Sequence, residues 1–193
     1  MTEWTHAQQA DEGTTKFAMK IFVASWTFSF VALLAAYLVL RLQADAWPPA
    51  GQPAPPLLFT GLATLMAVGS SVVLQLGIND MNRGFGRSII PALGFTVAFG
   101  TLFLACQTVA GAQAYGWGLR PGSSAYGALF WVTALFHAAH VAVGTVALGV
   151  LFRRARRSGL SPRRKLSIEL WAYFWHSIGL AWIGIFMVMV VPR

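Results

Sequence analysis

The sequence predicts an all-α polytopic membrane protein, a bundle of five transmembrane helices, and three observations predict it. Of the 193 residues 56% are hydrophobic and 10% charged, a balance unlike that of a soluble domain. The apolar residues gather into five runs, each long enough to cross a hydrocarbon core of about 30 Å at about 1.5 Å per helical residue. Most of the 14 Lys and Arg lie between those runs. Only helices and closed barrels satisfy backbone hydrogen bonds in lipid, and no run alternates as a barrel strand does. Residues 1–193 therefore read as a single membrane domain.

The expected spans, in order, are about 17–40, 57–78, 88–112, 125–152 and 167–191. Before the first, Met1 to Thr15 is polar, with Glu3, Asp11 and Glu12 and no cationic start. That is not the pattern of a signal peptide, so the segment is expected to remain on the mature protein. The first connection holds Pro48, Pro49, Pro53, Pro55 and Pro56, which cannot continue a helix and favour an extended linker. Asn79, Asp80 and Gly84 mark the second connection as a polar turn, and Gly116, Gly118, Pro121 and Gly122 mark the third. The fourth carries Arg153, Arg154, Arg156, Arg157, Arg163, Arg164 and Lys165.

Those cations set the orientation. With Lys16, Lys20, Arg83 and Arg87 they make 11 on the N-terminal side, against Arg41, Arg120 and Arg193 on the other. Positive charge stays inside, so the N-terminus is expected in the cytoplasm and the C-terminus in the periplasm. The arginine run reads as a solvated anchor against anionic head groups. No basic patch sits on a soluble module, which argues against nucleic acid as a partner. Cys106 lies inside a span and reads as a small buried hydrophobe. Small residues recur four apart at Ala63 and Ala67, Gly94 and Ala98, and Ala134, Ala138 and Ala142. In a membrane such spacing lets helices pack closely.

The chemistry-bearing stretch is Phe136-His137-Ala138-Ala139-His140-Val141-Ala142-Val143-Gly144. At helical spacing His137, His140 and Gly144 share a stripe, two imidazoles above a gap where a neighbouring backbone can approach. Ionisable groups inside a membrane face a bundle interior or cavity. On the fifth span Glu169, Tyr173 and His176 form a second stripe, and Trp175 and Trp182, seven apart, read as packing residues. The two stripes predict a polar-lined groove, with His137, His140, Glu169, Tyr173, Trp175 and His176 as candidate lipid-binding residues. Imidazole and phenol can donate to a phosphate and a carboxylate can accept from an amine.

Other uses of these groups are weaker. Of the six acids only Glu169 touches a span, too few for an autonomous ion-coupled carrier. A b-type haem needs one histidine from each of two helices, so His176 with His137 or His140 is the conceivable pair. Zinc wants three or four convergent ligands. The plainest use is hydrogen bonding between helices.

Three blocks in order resemble subunit III of the haem–copper oxygen reductases, most closely the cytochrome c oxidase type. Phe22-Val23-Ala24-Ser25 with Ala35-Ala36-Tyr37-Leu38-Val39-Leu40-Arg41 resembles that family's first shared helix. Ser124-Ala125-Tyr126-Gly127, the histidine stretch and Gly144 resemble the next signature, and Glu169, Phe174-Trp175-His176 and Trp182 resemble the last helix. Many family members have seven helices, while quinol oxidase relatives and some others have five. The resemblance also marks departures, because Trp26, Ala110 and Gly179 stand where the family carries carboxylates.

The resemblance implies a non-catalytic subunit of a terminal oxidase that reduces oxygen with electrons from cytochrome c or quinol, in a bacterial inner membrane. It implies partners in catalytic subunit I and subunit II, haem and copper held by that partner and none by this chain, and structural phospholipid in a cleft. Family members support proton uptake and the durability of the catalytic subunit. Without the three carboxylates, the scaffold and lipid-holding role is the one expected here. Two rivals are a subunit III-like protein of a nitric oxide reductase or other respiratory complex, and a small b-type haem protein acting alone.

Overall fold

The computed structural model describes residues 6–191, with side chains from Glu12 onward. Residues 1–5 of the polar segment Met1 to Thr15 and the outer cation Arg193 fall outside the described residues. Among the described residues there are five long α-helices: α1 (His6–Leu42), α2 (Leu57–Asn82), α3 (Ile89–Gly116), α4 (Ala125–Ser158) and α5 (Pro162–Ile185). A 3-10 turn, Gly86–Ser88, leads into α3, and a π-helical turn, Phe186–Val190, follows α5. All five helices are long and apolar enough to cross a membrane, and no strand occurs among the described residues.

The helices overrun the expected spans because hydropathy marks the hydrocarbon layer, while backbone hydrogen bonding continues into the interface. The largest difference is at the fourth connection. Arg153 to Arg157 lie on α4 and Arg163 to Lys165 on α5, so the turn is only residues 159–161. Gly159 ends α4 at φ 68°, a left-handed conformation that a Cβ disfavours. Ser161 then caps α5, its Oγ accepting from the Arg164 N–H at 3.3 Å, with Pro162 in the first turn. Both choices follow from helix-end chemistry.

Helices α2, α3, α4 and α5 pack as a four-helix ring, and α1 lies on the seam between α4 and α5. The contact of α2 with α3 is the most extensive. Gly77 makes it possible, since a Cβ there would overlap the Ala92 side chain. The proline-rich linker is anchored rather than simply extended. Trp47 packs edge-on to Tyr37 and Tyr126, with ring centroids at 5.0 and 5.1 Å, and its Nε1 donates to the Tyr37 hydroxyl at 3.2 Å. The Tyr126 hydroxyl donates to the Pro53 carbonyl at 3.2 Å. One end of the bundle is thereby closed by three aromatic rings from α1, the linker and α4.

Candidate functional site

The two histidines of α4 occupy different environments. A separation of three residues turns a helix by about 300°, enough at a seam for one ring to enter the four-helix interior and the other to meet α1. His137 is 1% exposed. It stacks on Trp182 of α5 at 5.3 Å and meets Phe103 of α3 and Phe30 of α1 at 5.6 and 5.7 Å. Neither ring nitrogen has a hydrogen-bond partner. The space beside it, bordered by Ser70, Gly100, Trp175 and Trp182, is about 20 Å³, room for one water molecule. His140 meets Trp26 at 5.3 Å and Phe136 at 4.5 Å, and its Nδ1 lies 2.7 Å from the Phe136 carbonyl oxygen. That contact requires the proton on Nδ1, as the acceptor is a carbonyl.

Gly144 completes the stripe in an unexpected way. The gap above it receives the indole of Trp175, not a neighbouring backbone; a Cβ on Gly144 would sit 2.9 Å from that ring. Across the ring lies Gly100 of α3, where a Cβ would come within 2.7 Å of the same indole and 2.6 Å of the Thr145 hydroxyl. Trp175 therefore fits between two glycines and donates its Nε1–H to Ser70 Oγ of α2 at 3.0 Å. Two turns on, Trp182 donates to Thr64 Oγ1 of α2, also at 3.0 Å.

The six candidate lipid residues do not converge on one groove. His137 and Trp175 are buried inside the ring and His140 faces the aromatic side chains of α1. Tyr173 is 48% exposed on the outer face of α5. Glu169 is half-buried on that helix, within electrostatic reach of Lys16 of α1. His176 borders a shallow groove of about 230 Å³ between α2 and α5 with Ala67, Ser71 and Gly179. Both stripes exist, yet the aromatic core stands between them. Among the described residues no three His, Cys, Asp or Glu are grouped as a metal site needs.

Trp26, Ala110 and Gly179, the positions singled out by the resemblance, have different surroundings. Trp26 is 5% exposed and packs edge-on to Phe30 and Phe174, so an indole fills that place. Ala110 lines an apolar cavity of about 480 Å³ between α3, α4 and α5, with Gln107 and Trp182. Gln107 Nε2 is buried there without a partner. Gly179 lies against α2, where a Cβ would be 3.3 Å from Ser71 Oγ.

The hydroxyls that receive the two indoles, Ser70 and Thr64, escape sequence reading. Their one signal is a spacing of six residues on α2, close to the seven between Trp175 and Trp182 on α5.

A family model described as cytochrome c oxidase subunit III matches residues 2–191. The relatives include a probable cytochrome c oxidase subunit 3 from Nocardia farcinica, 31% identical over 90% of this chain and 85% of its own length. A cytochrome c oxidase subunit 3 from Synechocystis is 26% identical over 95% of this chain and 78% of its own. That of Gallus gallus is 27% identical over 90% and 68%.

Proposed function

The chain belongs to the cytochrome c oxidase subunit III family, and from that premise we propose that it works as the non-catalytic subunit III of a respiratory terminal oxidase. Its partner is the catalytic subunit I, which carries the haem and copper, alongside subunit II, in a bacterial inner membrane. The N-terminus and the arginines around the α4–α5 turn face the cytoplasm. Its task is mechanical: to brace the catalytic subunit and hold phospholipid against it.

The observation that supports this reading is the use made of the histidines. His137 is enclosed by Phe30, Phe103 and Trp182, and His140 is spent on a carbonyl of its own helix. Both act as packing groups. Lipid contact belongs on the outer face of α5, where Glu169, Tyr173 and His176 share a stripe at helical spacing. His137, Trp175 and His140 support that face from within.

Purification of the complex through a tag on this chain tests the reading. The expected result is co-purification of a haem- and copper-bearing subunit, and faster loss of oxygen reduction during turnover once this chain is removed. Recovery of the tagged chain alone, or with a complex that does not reduce oxygen, would overturn it.

A further inference from the structure

At the cation-rich end of the bundle, a cavity of about 680 Å³ opens between the start of α3 and the end of α4. Its floor is apolar, made by Ile90, Pro91, Ala155 and Leu160, and its charged lining groups are Arg87 and Arg156. Arg156 also borders an adjoining recess with Phe152, Arg153 and Arg157. No acidic residue lines either space. The one ion pair among the described residues, Lys16 with Glu12 at 2.5 Å, lies on α1 and involves none of these arginines. Arg164 is already engaged, donating to the carbonyls of Ser158 and Gly159 across the turn. The positive end of α3 adds to the local potential. Arg156 and Arg157 offset the negative end of α4.

We propose that this cavity is a binding site for the phosphate of an anionic phospholipid of the adjoining leaflet, held between Arg87 and Arg156. Two exposed guanidiniums, one from the turn before α3 and one from α4, line the same cavity, and each can make charge-assisted hydrogen bonds to one phosphate. The apolar floor identifies the ligand as a lipid and not a free anion, because Ile90, Pro91 and Leu160 offer nothing to inorganic phosphate but can cover glycerol and the first acyl carbons. The cavity also lies where two apolar spans end, the level at which basic pockets between transmembrane helices take head groups. This site is at a different place from the outer face of α5 and stands independently of it.

The test is native mass spectrometry of the full chain in mild detergent, titrated with phosphatidylglycerol and, for comparison, neutral phosphatidylcholine. One phosphatidylglycerol is expected to bind with clear preference. Arg87→Gln with Arg156→Gln should weaken it about thirtyfold, the combined effect of two arginines at the membrane surface. Arg83→Gln with Arg154→Gln removes the same charge outside the cavity, and should weaken it several times less. Arg87→Lys with Arg156→Lys keeps the charge and should retain most of the binding. If the glutamine pair does not fold, Arg156→Gln alone, on an exposed side chain, should weaken binding about fivefold. Equal weakening by the two glutamine pairs, binding of both lipids alike, or unchanged binding in the Arg156 variant would overturn the site. Displacement of the lipid by millimolar inorganic phosphate would overturn its assignment to a lipid.

Discussion

Trp175 of α5 donates its indole N–H to Ser70 of α2 at 3.0 Å while its ring lies between Gly100 of α3 and Gly144 of α4. One side chain thus touches every other helix of the four-helix ring. Lipid tails are as apolar as any leucine, so helix association in a membrane relies on close packing and interhelical hydrogen bonds. Trp175 supplies both at one point, and Trp182 with Thr64 repeats the hydrogen bond two turns away.

The two glycines should be less replaceable than the hydrogen bond. Ser70→Ala removes one interhelical bond, worth about 0.6 kcal/mol on average in membranes, and the freed Trp175 N–H borders a space of about 20 Å³ that admits a water as its new partner. Gly100→Ala places a Cβ within 2.7 Å of the indole and 2.6 Å of Thr145 Oγ1, overpacking that costs about 1 to 3 kcal/mol. Thermal unfolding in detergent should rank Gly100→Ala as clearly more destabilising than Ser70→Ala. The reverse order would mean the ring gives way easily at Trp175.

Substitution of His137 separates packing from polar function. Its nitrogens are buried without partners, and an unsatisfied buried polar group costs about 1 to 3 kcal/mol. His137→Leu keeps an apolar filling against Trp182 and Phe103 while removing that cost. The melting temperature should hold or rise. A marked fall would reveal a partner of the imidazole, such as a water in the adjacent 20 Å³ space.

The linker makes a third case. Trp47 is held by Tyr37 and Tyr126, so Trp47→Ala should release residues 43–56 and make them the first site of limited proteolysis, with the helices intact. Tyr126→Phe removes only the hydrogen bond to Pro53 and should leave proteolysis close to that of the unaltered chain. Identical digestion patterns for Trp47→Ala and the unaltered chain would count against the anchor.

Five spans and their order were legible because hydrophobic length is a strong signal, but the short last turn was not, since the arginines that end α4 and begin α5 read by charge as a loop. The histidine stripe was legible as a stripe, but not its direction. A period of 3.6 says that His137 and His140 share a face; it does not say that the seam with α1 divides that face between two environments. The gap at Gly144 was visible in sequence, and its occupant was not. An indole reaching in from α5 is a tertiary fact, as is the shared cradle with Gly100. The tethering of the proline-rich linker was hidden for the same reason, since Tyr37, Trp47 and Tyr126 meet only once α1 and α4 are side by side.

Orientation can be tested at the two ends. The arginines beside the α4–α5 turn and those of residues 83–87 gather at the same end of the antiparallel bundle, which the charge rule puts in the cytoplasm. Cysteines at Ser161 and at Ser123 should therefore react with an impermeant maleimide from opposite sides, Ser123 from outside in sealed cells. Labelling of both from outside would remove the assignment.

The lipid contact we propose for the outer face of α5 can be separated from core packing by substitution. His137 is closed in by rings and His140 faces Trp26 and Phe30, so His137→Ala with His140→Ala opens a hole in the core. Truncating a fully buried side chain costs about 2 to 5 kcal/mol, which applies to His137, and half-buried His140 adds less. That pair should lower thermal stability with little change in the phospholipid that stays bound to the folded complex. Tyr173→Ala with His176→Ala removes an exposed phenol and a half-buried imidazole beside the α2–α5 groove. Neither side chain belongs to the buried core; the Tyr173 hydroxyl can donate to a phosphate, and His176, whose Nε2 is buried, can do so through Nδ1. That pair should lower lipid retention, measured by mass spectrometry, at nearly unchanged stability. If the α4 pair strips lipid at unchanged stability, or the α5 pair leaves retention untouched, the lipid is held elsewhere and the face of α5 is free for a protein neighbour.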